Sequence, residues 1–560
     1  MKTVLPIVLL AIVLTGLNAL KPLHVDDTTY CFNAHQIAAH PFDPYGYNIL
    51  YFSDPLPALH VLAPPVQPAW WALGIRLFGE RPVLWKVWMF PFALIFVASL
   101  ASLLRRFAPS SATSLLILLT LSPVILPSLN LMIDLPALAL SLAALALFFR
   151  ACDRESLGLA LAAGLIAGLG METKYTGFLA PAVLLTFSVL HRRFRLGLLS
   201  ATTAALVFSA WELFLVWRYG ESHFRYHTSQ TPFHPLEKLG LVACLFPILG
   251  AVVPTLCLLA LTLLRIPRRS LLVAALFALL PYLLIFWFDP VVVDFGYDYL
   301  PLTGVLFSAN GAIMLAGVTW AGWRLVHPLR EQPMLRPFLP QGRVAWFLVL
   351  WVGLELAGYV ILSPFPAVRR IMGLTVAATF LLGHLAEQVP LEPWRRQVLL
   401  GLVVATALLG FGYCGVDYVE ARAERQAAYD AAQRIRQREP NAVIWYAGYW
   451  GFQYYAEEVG MKQAVPQTDD APAAQLLPPT HFQRGDWLVI PSTDFPAAIP
   501  QQQIDLDCPE LELKERIYLD DAVPLRTLIF YYAGAPPLRH RKEPRFDVRL
   551  FRVKSDFICR

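Results

Sequence analysis

"VLPIVLLAIVLTGLNAL", residues 4–20, runs straight into "KPLHVDDTTYCFNAHQIAAH", residues 21–40. The first stretch is apolar and uncharged. A helix rising 1.5 Å per residue crosses about 30 Å of hydrocarbon in about 20 such residues. The second stretch sets Asp26 and Asp27 where that helix would emerge. Ionised carboxylates avoid hydrocarbon, so the pair belongs at a membrane surface. Two readings stand side by side. "DDTT" is good cap chemistry for a following helix, with Asp27 or Thr28 accepting a backbone N–H. An acid pair there also suits a general base with a helper.

The same pattern recurs along the chain. Of 560 residues, 57% are hydrophobic and 15% charged, against about 25% charged in soluble domains. Mean hydropathy is +0.53. The predicted fold is mainly α, a polytopic membrane protein of about 13 spans. They fall near 4–21, 83–104, 111–128, 132–149, 157–171, 175–190, 196–217, 239–264, 270–288, 299–323, 344–363, 370–385 and 397–414. Lys2 before an apolar stretch resembles a signal peptide. The long stretch and the poor cleavage text "LNALKPLH" favour an uncleaved first span. The net charge of +5 is spread over loops and gives no nucleic-acid footprint. The seven cysteines form no framework, although Cys508 and Cys559 could pair in an oxidising compartment.

Basic loops set the orientation. With a cytoplasmic N-terminus, Arg105, Arg106, Arg150, Arg154, Arg192, Arg193, Arg195, Arg265, Arg268, Arg269, Arg324, Arg330, Arg336, Arg343, Arg395 and Arg396 all fall inside. The loop 289–298, "DPVVVDFGYD", falls outside and is acidic. Residues 1–415 form the expected membrane domain, with a first extracytoplasmic loop near 22–82. In that loop "PAWWALGIRLF" reads as an interfacial helix with Trp70 and Trp71 at headgroup level. Residues 416–560 read as a small extracytoplasmic α/β domain, with strands in "AVIWYAG", "DWLVIP", "TLIFYYA" and "FDVRLFRV" and a helix in "WGFQYYAEEVG".

Further charges share the outer face. Asp134 opens a span in "LNLMIDLPALALSL", as a functional acid or as a cap before Pro136. Lys174 lies in "GLGMETKYTGFLAP", either snorkelling or holding a phosphate, with Glu172 as a nearby ion partner. Arg369 and Arg370, in "SPFPAVRRIMGL", break the positive-inside preference, and a guanidinium fork suits a phosphate. Lys86 in "LWKVWMF" is a third cation of this kind. Histidines 24, 35, 40 and 60 share the first loop without metal-ligand spacing. No GxxxxGK[ST], CxxC pair or GxSxG occurs. Acids that activate a hydroxyl, beside cations that hold a phosphate, suit sugar transfer from a lipid phosphate.

In their order these texts resemble the GT-C glycosyltransferases, in the branch of dolichyl-phosphate-mannose–protein mannosyltransferases and the lipid A aminoarabinose transferase. Asp26-Asp27 matches the acidic pair, and "APPVQPAWWALGIRLFGE" matches the loop text that follows it. Lys86, "IDLPALAL" and "GLGMETKYTGF" match later features, and "VRRIMGL" and "YWGFQYYAEEVG" look like a bacterial subgroup. The resemblance implies a polyprenyl-phosphate-linked sugar as donor and a lipid, glycan or protein acceptor among membrane lipids. It implies direct, inverting attack, with Asp26 as base and Asp27 and Asp134 assisting. Lys174, Arg369 and Lys86 would hold the donor phosphate. Some relatives bind a divalent metal ion near the acidic motif, which here would fall to Asp26 and Asp27. Departures are Asp27 in place of Glu, Ala63 in place of a His, and Asp298 where "YDYLPL" would carry Arg. The expected location is a bacterial inner membrane. The alternatives are a polytopic secondary transporter, a lipid-linked polysaccharide ligase or polymerase, and an inactive transferase-like scaffold. Acids at span ends on one face, with no inverted repeat, favour the transferase over the transporter.

Overall fold

The computed structural model describes residues 4–51, 54–230, 234–285, 302–330, 342–389, 392–467, 478–492, 508–520, 523, 525–527, 538–540 and 545–559. The acidic loop 289–298, with Asp298, and most of the "TLIFYYA" stretch lie outside these residues.

Within the described residues the expected spans are largely helical, with 111–128 the exception. In chain order the helices are α1 Val4–Leu20, α2 Asp27–Ala39, α3 Ala58–Val61, α4 Val66–Phe78, α5 Pro82–Val87, α6 Phe90–Phe107 and α7 Ala112–Thr120. Then come α8 Asp134–Arg154, α9 Leu157–Met171, α10 Leu179–Leu190, α11 Phe194–Tyr219, α12 His223–Ser229, α13 Pro235–Val252 and α14 Pro254–Leu263. The series ends with α15 Arg268–Leu284, α16 Leu302–Arg330, α17 Arg343–Leu362, α18 Met372–Gln388, α19 Pro393–Arg438 and α20 Trp450–Glu458. Among the described residues, seven helical segments are long and apolar enough to cross a membrane, with α5 and α6 taken as one. The helices α1, α9 and α14, and α10 with the turn before it, are shorter but apolar. Local chemistry fixes several ends. Pro82, Pro235, Pro254 and Pro393 open helices, where a missing N–H costs nothing. Ser156 and Ser222 cap α9 and α12 by accepting from the backbone N–H of Leu159 and Arg225. Gly220, at φ 77°, ends α11.

The expected span 111–128 is corrected. The helix α7 stops at Thr120, and the chain then winds irregularly through buried residues to Ile133. Pro123 and Pro127 explain the stop, since neither can continue an N–H ladder. Non-helical backbone buried in apolar surroundings needs its carbonyls satisfied. Side chains from elsewhere do this. Asn18 donates to the Leu126 carbonyl at 2.7 Å, Lys21 to Pro127 at 3.2 Å, and Gln67 to Leu131 at 3.1 Å.

The expected boundary at 415/416 falls inside one helix, α19, of 46 residues. That is about 70 Å at 1.5 Å per residue, roughly twice the hydrocarbon thickness. Its first half is apolar. In its second half Ala421, Ala427, Ala428, Ala431, Ala432 and Ile435 are buried, and so are the acids Asp417, Glu420 and Glu424. That stripe packs on a five-stranded sheet in the order Lys462–Gln463, Ile444–Tyr446, Trp487–Ser492, Arg545–Val553, Leu511–Asp520. The first two pairings are parallel and the last two antiparallel. The strand Leu511–Asp520 was not foreseen, because "LELKERIYLD" alternates apolar residues with charges at a sheet edge. Cys508 packs against the small apolar cluster that holds Cys559.

The C-terminal part clasps the end of α1. Leu23 N–H donates to the Tyr455 hydroxyl at 2.8 Å, and the Thr28 hydroxyl to the Trp450 carbonyl at 2.7 Å. Lys21 and Asp417 form a buried pair at 3.1 Å. The helix α4 is not an interfacial helix with both tryptophans at headgroup level. Trp71 is fully buried, and Trp70 is half-buried against Trp88 with ring centroids 4.8 Å apart.

Candidate active site

The link from α1 to α2 is strained. Val25 has φ 50°, a conformation that a β-branched residue rarely adopts. Such strain costs about 1–3 kcal/mol and persists only where surrounding structure enforces it. Beyond it the two carboxylates diverge. Asp26 sits at the start of α2 and its side chain caps no N–H. Instead it faces a cavity.

Asp27 turns into the protein and is fully buried. Its Oδ2 lies 3.4 Å from His24 Nδ1 and 3.7 Å from Lys86 Nζ. Lys86 also donates to the carbonyls of Lys21 at 2.6 Å and Pro22 at 3.1 Å. Burial pushes the Asp27 carboxyl up to about 6, against the pull of Lys86 and Lys21. Burial, then the same two lysines, hold His24 well below the usual imidazole range. This group anchors the chain leaving α1. Lys86 is buried and is not among the residues that line the cavity.

The cavity holds about 790 Å³. Tyr30 lines it from α2, Ala63 from the first loop, Lys174 and Tyr175 from the turn after α9, and His223 and His227 from α12. Lys238 joins from α13, with Arg369 and Arg370 from the one-turn helix Val368–Arg370. Residues far apart in sequence therefore meet. Arg369 Nη1 lies 3.1 Å from Asp26 Oδ2 and 3.7 Å from Asp134 Oδ2. Lys174 contacts Asp134 directly. Glu172 is not its partner: both Glu172 carboxylate oxygens are buried without a hydrogen bond. Asp134 is the first residue of α8 and stands behind Lys174 and Arg369, so of the three acids only Asp26 lines the cavity. Four cations, Lys174, Lys238, Arg369 and Arg370, line the cavity against the carboxylates of Asp26 on its wall and Asp134 behind it, so positive charge is in excess. Such a pocket attracts an anion.

On the opposite rim His223 Nε2 faces the Leu62 carbonyl at 2.6 Å, and its Nδ1 faces the Tyr175 hydroxyl. A neutral imidazole satisfies both. Burial, then the neighbouring His227, pushes His223 down to about 3. A resident divalent ion does not fit the acidic motif. Asp26 and Asp27 point apart, each is answered by a cation of the chain, and among the described residues no three His, Cys, Asp or Glu side chains gather. The first-loop histidines are also separate, His35 on Glu80 and His60 on Glu221.

Sequence reasoning missed His223 and His227. Their spacing of four in "SHFRYHTS" does put them on one helical face. It also missed Glu355, an acid inside the apolar α17 that accepts from Trp351 Nε1 at 3.1 Å. An ionisable residue within a span was a usable signal. Lys238 and Tyr175 gave none.

Residues 63–219 match the family model of dolichyl-phosphate-mannose-protein mannosyltransferases. Among curated proteins none matches the sequence. Among solved structures, ArnT from Cupriavidus metallidurans bound to undecaprenyl phosphate is 14% identical, with 98% of each chain covered and a TM-score of 0.44. The Archaeoglobus fulgidus oligosaccharyltransferase tethered to an acceptor peptide is 12% identical, with 84% of this chain covered and a TM-score of 0.47. This chain spans 64% of that protein's length. The matched segment 63–219 contributes Ala63, Lys174 and Tyr175 to the cavity and Asp134 behind it, so the likeness to the mannosyltransferase family covers part of the cavity wall.

Proposed function

We propose that this protein moves a sugar from a polyprenyl-phosphate carrier to an acceptor hydroxyl at a membrane surface. One observation carries the proposal: a single carboxylate, Asp26, opens onto a cavity whose wall bears Lys174, Arg369 and Arg370. The family match over 63–219 supports a lipid-phosphate donor. In the step, the acceptor oxygen attacks the anomeric carbon and its proton passes to Asp26. The bond from that carbon to the phosphate oxygen breaks, and the electron pair leaves with the phosphate toward the cationic wall. Direct attack inverts the anomeric centre and needs no covalent enzyme intermediate. Asp134 keeps Lys174 and Arg369 in position, and Asp27 with Lys86 and His24 fixes the chain that presents Asp26. The cations of the chain take the part that a divalent ion would play.

Residues 1–415 form the membrane part in this proposal, and 416–560 an extracytoplasmic part. The N-terminus is cytoplasmic, and the membrane is a bacterial inner membrane. The acceptor is a lipid, glycan or protein. The test uses purified full-length protein and a labelled polyprenyl-phosphate sugar. Transfer and release of polyprenyl phosphate are expected, and both are lost in Asp26→Asn while the melting profile stays intact. Full activity in Asp26→Asn removes the base assignment. Uptake of a free solute with no lipid consumed points to the transporter instead.

A further inference from the structure

A second cavity, of about 420 Å³, lies where the first loop meets the C-terminal part. Phe32, His35 and Gln36 line it from one face of α2, with Asn48 from the first loop, Gln453 from α20 and Gln463 from the edge strand Lys462–Gln463. Four of these carry side-chain amides, and an amide offers donors and an acceptor in one plane. The half-buried Phe32 ring packs on the apolar cluster of the first loop and adds an apolar face. Several polar groups are already fixed. Gln36 Nε2 donates to the Asp43 carbonyl at 2.9 Å, and the Tyr446 hydroxyl donates to Glu457 on the cavity wall at 2.6 Å. Both His35 nitrogens are engaged, Nδ1 by the Cys31 carbonyl and Nε2 by Glu80, each at 2.9 Å. Among the described residues lining this cavity there is no Lys or Arg, so a phosphate finds no cation here. A hydrocarbon tail would strip the amides of water without replacing their hydrogen bonds, which is costly. A concave site between two parts of a chain, with a few convergent polar groups, is a typical place for a small ligand.

We propose that this cavity binds an uncharged glycan carried by the acceptor. The proposal rests on the sugar transfer above and narrows its acceptor to a glycan-bearing one. Sugar hydroxyls donate and accept, as the amides do, and the C–H face of a sugar ring packs on an aromatic ring. An anionic sugar would meet the carboxylates of Glu457 and Glu80 with no cation to offset them. The cluster that seats Phe32 also holds Leu62, which lines the Asp26 cavity, so the two cavities are neighbours across one packed loop. Along α2, Phe32 to Gln36 stand about 9–15 Å beyond Asp26 at 1.5 Å per residue. A short oligosaccharide spans that distance and brings its terminal hydroxyl to Asp26. The C-terminal part, through Gln453 and Gln463, then selects the acceptor and takes no part in the bond exchange.

The experiment measures binding of uncharged mannotetraose, cellotetraose and chitotetraose to the purified full chain, with anionic tetragalacturonate and cationic tetralysine as comparisons. At least one neutral probe is expected to bind, and more tightly than either charged one. Asn48→Ala and Gln463→Ala, at an exposed and a half-buried position, should each weaken that binding by about 5- to 10-fold, the loss expected for one hydrogen bond. Affinity for polyprenyl phosphate and the melting profile stay at the wild-type level, which a general loss of structure would not allow. If one variant does not fold, the other decides. Binding of no neutral probe, or wild-type affinity in the folded variants, overturns the glycan site and leaves sugar transfer standing. Tighter binding of tetragalacturonate or tetralysine than of every neutral probe overturns the uncharged glycan as occupant. Glycan binding that the variants weaken, with no transfer from a labelled polyprenyl-phosphate sugar to the bound glycan, overturns the acceptor role and leaves a glycan-binding site.

Discussion

Asp134→Asn tests how the cavity is held together. Asp134 is 5% exposed and stands between Lys174 and Arg369. Losing its charge leaves Arg369 with Asp26, but strips Lys174 of the carboxylate it contacts. Breaking a buried pair by removing one partner costs about 3–5 kcal/mol, because the other charge stays buried. Lys174→Met removes that stranded charge and keeps an apolar stem of similar length. Replacing both members of a buried pair by neutral groups is near neutral, so the double variant Asp134→Asn/Lys174→Met should lie within about 1 kcal/mol of wild type. The coupling between the sites is then about 3 kcal/mol or more, well above the few tenths that independent sites show. The assay is denaturant unfolding of the detergent-solubilised protein for wild type, both single variants and the double. Losses that simply add, or a single-variant loss below about 1 kcal/mol, would refute the claim that Asp134 anchors the cations. Sugar transfer should stay low in the double variant, because Lys174 no longer faces the donor.

Lys86→Met should destabilise the protein by about 3 kcal/mol or more, since it strands buried Asp27; polyprenyl-phosphate affinity of the folded fraction, by equilibrium binding, should match wild type, and a selective loss of affinity would return Lys86 to the phosphate site. Gly451→Ala should loosen the C-terminal part from the first loop. An added Cβ would stand 2.7 Å from the Leu23 carbonyl oxygen and 3.1 Å from His24 Cα, an overpacking cost of about 1–3 kcal/mol; limited proteolysis should cut earlier within 416–560, and an unchanged pattern counts against the contact. His223, pushed from the usual 6.5 to about 3, binds fewer protons folded than unfolded between those values. Its contribution to stability is therefore lost as pH falls through that window, by about 2 kcal/mol between pH 7 and pH 5. Thermal unfolding across that range should show a smaller acid loss in His223→Gln, and equal slopes would show that the imidazole is not held neutral.

Much of the membrane layer was legible because hydrocarbon imposes a one-dimensional rule: about 20 apolar residues per crossing. That rule misjudged 111–128, where composition is apolar but two prolines break the helix and distant side chains, Asn18, Lys21 and Gln67, satisfy the freed carbonyls. It also placed a boundary inside α19, because hydropathy changes at 415 while helix propensity does not. Within the site, the sequence marked Asp26, Asp134, Lys174 and Arg369 as charges near span ends, and these meet. Lys86 carried the same signal and lies elsewhere, buried against Asp27.

The sequence by itself determined the membrane-spanning helices, the small sheet-bearing part at the C-terminus, and the set of charges placed at span ends. Each follows from local solvation cost and from residue period, which need no knowledge of neighbours. Only the tertiary structure decided which charge answers which. Two adjacent aspartates, 26 and 27, became a cavity-facing group and a buried anchor. Two adjacent arginines, 369 and 370, became one engaged and one unengaged cation. Pairing depends on distances of a few ångström between residues hundreds of positions apart, and Coulomb attraction in a dry interior is decided at that scale.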